Sequence, residues 1–193
     1  MHTHPVIVYL HGLNSTRHSF AYLGHKLGHC DIKLIDYDSH QPLHMSIAQV
    51  ARQLPPGREL ILIGHSLGGV IAMNLALDMP EIVRVITISA PLGGSRAATF
   101  LRWFSSMMVV GDITPTSRAI TRIQSSLPCP VLSIISTGGH LPTSQEQNDS
   151  VVTLNSQRAL KDAAKIEIRA NHFEILMHDA TADAILAFVQ ECC

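Results

Sequence analysis

Three residue types, a hydroxyl, an imidazole and a carboxylate, turn a neutral side chain into a nucleophile when they come together. Ser66 supplies the hydroxyl, inside ELILIGHSLGG at residues 59–69. A strand that turns at once into a helix strains its corner residue. Glycines two before and two after the corner relieve the crowding, because they carry no Cβ. Gly64 and Gly68 hold those places. The corner pushes the Ser66 hydroxyl outward and sets the Leu67 amide in the first turn of a helix, where unpaired N–H groups favour negative charge. G-x-S-x-G between a strand and a helix is a nucleophile elbow. The competing reading is a glycine-rich turn with an incidental serine, and the buried strand before it and the small-residue helix after it weigh against that.

A serine hydroxyl needs a general base, and the tetrahedral intermediate needs donors for its oxyanion. Leu67 N–H is one donor. HGLNS follows the first apolar run, and the Leu13 amide after Gly12 is the candidate second, with His11 shaping that loop. Among the twelve histidines, His65 is set aside as base because adjacent side chains at a sharp turn point apart. His172 stands just past the last strand candidate, in a loop able to carry an imidazole over a cleft. His140 and His178 are its competitors, His178 being placed near the start of the last helix. The orienting acid belongs between nucleophile and base in chain order. Asp149, in the polar loop QNDSVV, fits best, with Glu146 second. Asp162 and Glu167 fall in or beside regular elements and are expected to face water.

The elements that must position these groups are strands near 5–11, 31–38, 59–65, 83–90, 130–137 and 165–170. Helices are expected near 17–29, 44–54, 67–78, 96–109, 115–126 and 180–190, from periodicity and boundary signals. This alternation predicts a single α/β domain over 1–193, a mainly parallel sheet of about six strands with helices on both faces and no large cap. In such sheets ligands bind outside the carboxyl ends of the strands, where these serine, histidine and glycine residues gather.

Composition agrees with a globular chain: 46% hydrophobic and 15% charged residues. A formal net charge of -1 argues against a nucleic-acid binder. No apolar run approaches the roughly 18 residues that span a bilayer. The start lacks a signal-peptide pattern. Cys30, Cys129, Cys192 and Cys193 show neither metal-ligand nor disulfide spacing, which predicts a cytoplasmic protein with reduced thiols. Pro42 breaks the helical spacing of His40 and His44 as a metal pair. No metal and no cofactor are expected.

These motifs resemble the α/β-hydrolase superfamily, in particular its compact bacterial lipase- and esterase-like members. VYLHGLNST resembles their oxyanion loop, GHSLGG the elbow, ITISAPLGGS the turn after the next strand, QNDSVVTLNSQ the acid loop and NHFEILMH the histidine loop. The resemblance covers nearly the whole chain. It implies Ser66 as nucleophile, Asp149 as acid, His172 as base, and Leu13 and Leu67 as oxyanion amides. One departure is Ser150, where glycine often follows the aspartate. Another is the shortness of the chain.

About 35 residues separate the ISAPLGGS turn from the fifth strand, longer than most connections. TFLRWFSSMMVV lies there, and Trp103 and Met107 are candidate substrate-binding residues. Segment 95–126 is read either as a short lid or as core. The expected function is hydrolysis of a small-molecule or lipid carboxylic ester by an acyl-enzyme route. Thioesterase, amidase and acyltransferase use the same groups, and a non-catalytic interaction protein is the rival from another class. Peripheral membrane contact through the terminal cysteines stays open, as does oligomeric state.

Overall fold

Strands apolar at every position need cover on both faces. Val6–Leu10, Leu60–His65 and Val131–Ser136 are buried throughout, and they lie inside one sheet. The computed structural model describes residues 4–28, 30–94, 109–140 and 145–190. Its strands are β1 (Val6–Leu10), β2 (Ile32–Ile35), β3 (Leu60–His65), β4 (Ile82–Ile88), β5 (Val131–Ser136) and β6 (Ala164–Ile168). They pair in parallel in the order β2-β1-β3-β4-β5-β6. The edge strands are more exposed, and Lys33, Lys165 and Glu167 stand on them, which suits an edge that must not pair further.

The helices are α1 (Ala21–Lys26), α2 (Leu43–Ala51), α3 (Leu67–Ala76), α4 (Arg118–Ser125) and α5 (Asp179–Gln190). Alternate residues of β1 divide between two cores. Val6, Val8 and Leu10 join Val50, Val70, Ile120 and Ile123 under α2, α3 and α4. Ile7 and Tyr9 join Phe20, Leu23 and Ile185 under α1 and α5. The period of two along the strand therefore sets both layers.

Most strand limits shift by one or two residues from the expected ones, and β2 ends three residues early, at Ile35. The helix expected over 17–29 divides into a 3-10 turn, Arg17–Phe20, and α1. That over 115–126 starts at Arg118, because the Ser117 hydroxyl accepts from the Ile120 amide and caps it. Single helical turns at Val109–Asp112 and Leu154–Gln157, and a 3-10 turn at Glu174–Met177, were not signalled by periodicity. The helix expected over 96–109 lies outside the described residues as far as 108, and so do Trp103 and Met107. Within the described part of the 95–126 segment, Ile113, Ile120 and Ile123 are buried and join the core that covers one face of the sheet. Cys30 and Cys129 form no disulfide. Among the described residues no helix is long and apolar enough to cross a membrane.

Candidate active site

The chain leaves β1 toward β2 and leaves β3 toward β4, although β1 and β3 are neighbours. Their carboxyl ends therefore open a crevice at the point where the strand order reverses. Ser66 stands there with φ 52° and ψ -118°, a conformation that L-residues rarely adopt. Its amide is held by the Ile88 carbonyl at 2.9 Å, and its own carbonyl accepts from Gly69 N–H at 3.0 Å. A Cβ on Gly64 would fall 2.3 Å from the Gly68 oxygen, and one on Gly68 would fall 2.2 Å from the Leu10 oxygen. Glycine is required at both. Ser66 keeps 8% of its surface exposed, more than His65 or Leu67 on either side.

The loop after β1 closes on this corner. A Cβ on Gly12 would meet Ser66 Cβ at 3.1 Å, which brings the residue before Leu13 against the serine. No hydrogen bond to the Leu13 or Leu67 amide is made among the described residues. His11 braces the loop as expected. Its Nδ1 lies 2.8 Å from the Gly12 carbonyl and so carries a hydrogen, while Nε2 accepts from the Tyr37 amide at 3.4 Å. The Tyr37 hydroxyl donates to the His11 carbonyl at 2.5 Å, and the two rings stack at 4.3 Å. Burial lowers the His11 pKa, so the ring stays neutral in this brace.

Residues 149 and 172 meet on the other side. His172 Nδ1 lies 2.7 Å from Asp149 Oδ2. Burial alone pushes the Asp149 carboxyl up, but donation from His172 and Ser136 and the Val152 amide outweighs it and holds the pKa below the ordinary value. The acid is thus a carboxylate that can only accept. His172 therefore donates from Nδ1, and its neutral form is the tautomer that leaves Nε2 as an acceptor. The Ser66 hydroxyl itself makes no hydrogen bond among the described residues. His172 reaches the elbow through His65: the rings lie 4.8 Å apart, and His65 Nε2 is 2.9 Å from the His172 carbonyl.

The acid loop closes on Gly139, where a Cβ would fall 1.9 Å from the Asp149 carbonyl carbon. Ser150 takes φ 84°, the left-handed region where glycine is the easier residue. Its amide donates to Asn148 Oδ1 at 3.0 Å, which anchors the turn. Ser136 and Gln157, both buried, bind Asp149 Oδ2 at 2.5 and 3.1 Å. Polar residues in a strand and in a short helical turn carry no spacing signal, so neither is visible from sequence alone. The competitors stand elsewhere. His140 is exposed, His178 accepts from the Ala180 amide at 3.2 Å and caps α5, and Glu167 pairs with Arg158 at 2.7 Å. Asp162 is exposed. Among the described residues no group of three or more His, Cys, Asp or Glu side chains could hold a metal ion.

Parallel sheet, strained corner and order-reversal crevice together define an α/β-hydrolase. The family model for serine aminopeptidase, S33, matches residues 42–172, about two thirds of the chain and a span that includes Ser66, Asp149 and His172. The chain belongs to that family of α/β-hydrolases. Its fold is shared with the mature lipase BlEst2 of Bacillus licheniformis, at 18% identity and TM-score 0.80, over 98% of this chain and 93% of that one. The metagenomic carboxyl esterase MGS0156 is similar at 13% identity and TM-score 0.75, over 99% of this chain and 77% of that one. The thioesterase domain from the curacin biosynthetic pathway is similar at 15% identity and TM-score 0.64, over 97% and 91%.

Proposed function

We propose that the chain is a serine hydrolase of carboxylic esters, working through an acyl-enzyme. The observation that carries this is the 2.7 Å contact between His172 Nδ1 and the buried Asp149 carboxylate, beside a strained Ser66. With Nδ1 committed to the acid, the bare Nε2 takes the Ser66 proton as Oγ attacks the ester carbon. The amides of Leu13 and Leu67 receive the developing oxyanion. The imidazolium, stabilised by Asp149, returns its proton to the departing alkoxide. Water then repeats the sequence on the acyl-serine and releases the acid.

An apolar ester is favoured over a charged substrate. Phe173 and Met177 are 64% and 63% exposed, and the Phe173 ring stands edge-on to His172 with centroids 5.2 Å apart. The Phe173 ring is an apolar surface next to His172, suited to the hydrocarbon of a substrate. The family description names aminopeptidase activity, which would run on the same groups.

The test is labelling by a fluorophosphonate, followed by turnover of p-nitrophenyl esters and of aminoacyl p-nitroanilides. Wild type labels and cleaves esters, while Ser66→Ala does neither. Ser66-independent labelling, or faster cleavage of anilides than of esters, overturns the reading.

A further inference from the structure

We propose that His65, the residue before the candidate nucleophile, is the positioning residue that ties the backbone of His172 to the elbow. The inference rests on the triad reading above. Three hydrogen bonds hold His172. Its amide donates to the Asp149 carbonyl at 2.9 Å, its ring Nδ1 to the Asp149 carboxylate at 2.7 Å, and its carbonyl accepts from His65 Nε2 at 2.9 Å. The first two bind it to the acid loop. Asp149 is held in turn by Ser136 on β5, so neither bond refers the histidine directly to the elbow strand. The third bond ends on β3, one residue from Ser66, and supplies that direct link.

The chemistry of the contact determines the His65 tautomer. A carbonyl oxygen only accepts, so Nε2 carries the hydrogen and Nδ1 is left as a bare acceptor. That Nδ1 is buried and has no hydrogen-bond partner. Leaving a buried acceptor unsatisfied is unfavourable. Turning the ring over would break the bond to His172. Gly12 makes the room: a Cβ there would come within 3.1 Å of the bare nitrogen. Burial, and then the neighbouring His172, lower the His65 pKa to about 3. The ring therefore remains a single-proton donor while His172 gains and loses its own proton beside it.

Two substitutions separate the hydrogen bond from the packing of the ring. His65→Leu keeps apolar volume and removes the donor, whereas His65→Gln can set an amide N–H near the position of Nε2. On the best ester substrate, His65→Leu lowers kcat about 10- to 100-fold, the scale of a misplaced catalytic group. KM stays within about twofold, and fluorophosphonate labelling slows in parallel. His65→Gln recovers most of the loss. Independently of activity, ring-nitrogen NMR of wild type shows His65 as the Nε2–H tautomer, neutral at pH 5. Should His65→Leu fail to fold, this tautomer and the kinetics of His65→Gln decide. An Nδ1–H tautomer, wild-type kcat in both variants, or a His65→Gln as impaired as His65→Leu at equal melting temperature overturns the proposal. Lack of labelling in wild type overturns the triad reading instead, and the NMR result still decides whether the tie exists.

Discussion

Among the described residues, the Asp149 carboxylate accepts from five donors. Oδ1 takes the amides of Val151 and Val152 at 2.9 and 2.7 Å, and Oδ2 takes Ser136, Gln157 and His172. The Ser136 proton is spent on the carboxylate, so the Ser89 hydroxyl, 2.6 Å away, is the donor between those two serines. Each charge-assisted bond stabilises the carboxylate relative to the carboxylic acid. Removing one of five leaves it ionised. Ser136→Ala is expected to lower kcat only about 3- to 10-fold, because the remaining donors still hold the His172 tautomer. Asp149→Asn is a different perturbation. It presents either an amide N–H or a weaker neutral acceptor to His172 Nδ1, and the tautomer is no longer enforced. A fall in kcat of about 10²–10⁴ is expected. Steady-state turnover at pH 8 checks both, and equal losses would mean that Ser136, not the charge, controls the histidine.

The elbow and the histidine loop are the elements whose geometry decides the site. Gly68→Ala drives a methyl to within 2.2 Å of the Leu10 carbonyl, main chain of a central strand that cannot yield without moving the loop carrying Leu13. A loss of about 2–3 kcal/mol is expected, with activity reduced even in the folded fraction. Gly111→Ala is the control, since among the described residues a Cβ there meets nothing within 4 Å. Its change in urea midpoint should correspond to less than about 0.5 kcal/mol. In the histidine loop, Ile175 and Leu176 pack inward while Phe173 and Met177 face out. Phe173→Ala should therefore leave the melting temperature unchanged and lower kcat/KM for an octanoate ester about 5- to 10-fold more than for an acetate, on the scale of one lost apolar contact. Equal losses on both esters would assign Phe173 to packing of His172 alone. The strained corner at Ser66 and the loop positions of Asp149 and His172 were legible because their strand, glycine and loop context is local in sequence. Ser136, Gln157 and the His65 tie were not. Each acts through a contact across 8 to 107 positions, which no spacing rule encodes. The Ser150 departure from glycine is absorbed by a local turn, visible only once its φ is known.

At the scale of the whole molecule, the site places a neutral histidine and a charged aspartate where water cannot reach them, and stability must then depend on pH. Burial, then the neighbouring His172, lower the His65 pKa to about 3, with His11 acting in the same direction and the hydrogen bond to the His172 carbonyl and the Asp149 carboxylate acting against it. Unfolded, the same ring titrates near its ordinary value of about 6.5. The unfolded chain therefore binds a proton that the native state refuses, and the stability present above pH 6.5 is lost as pH falls toward 3. His11, lowered chiefly by burial, adds in the same direction. Asp149 follows at more acidic pH: its native pKa lies below the ordinary carboxylate value, so its contribution fades only as the carboxylate itself protonates. One refused proton corresponds to a slope of about 1.4 kcal/mol per pH unit. Urea unfolding of wild type and His65→Gln between pH 7 and pH 4 isolates the His65 share, since glutamine does not titrate. Wild type should lose stability more steeply than the variant, by about one proton's slope below pH 6. Parallel curves would mean that His65 is protonated in the native state. The neutral tautomer that ties His172 to the elbow would then be wrong as well.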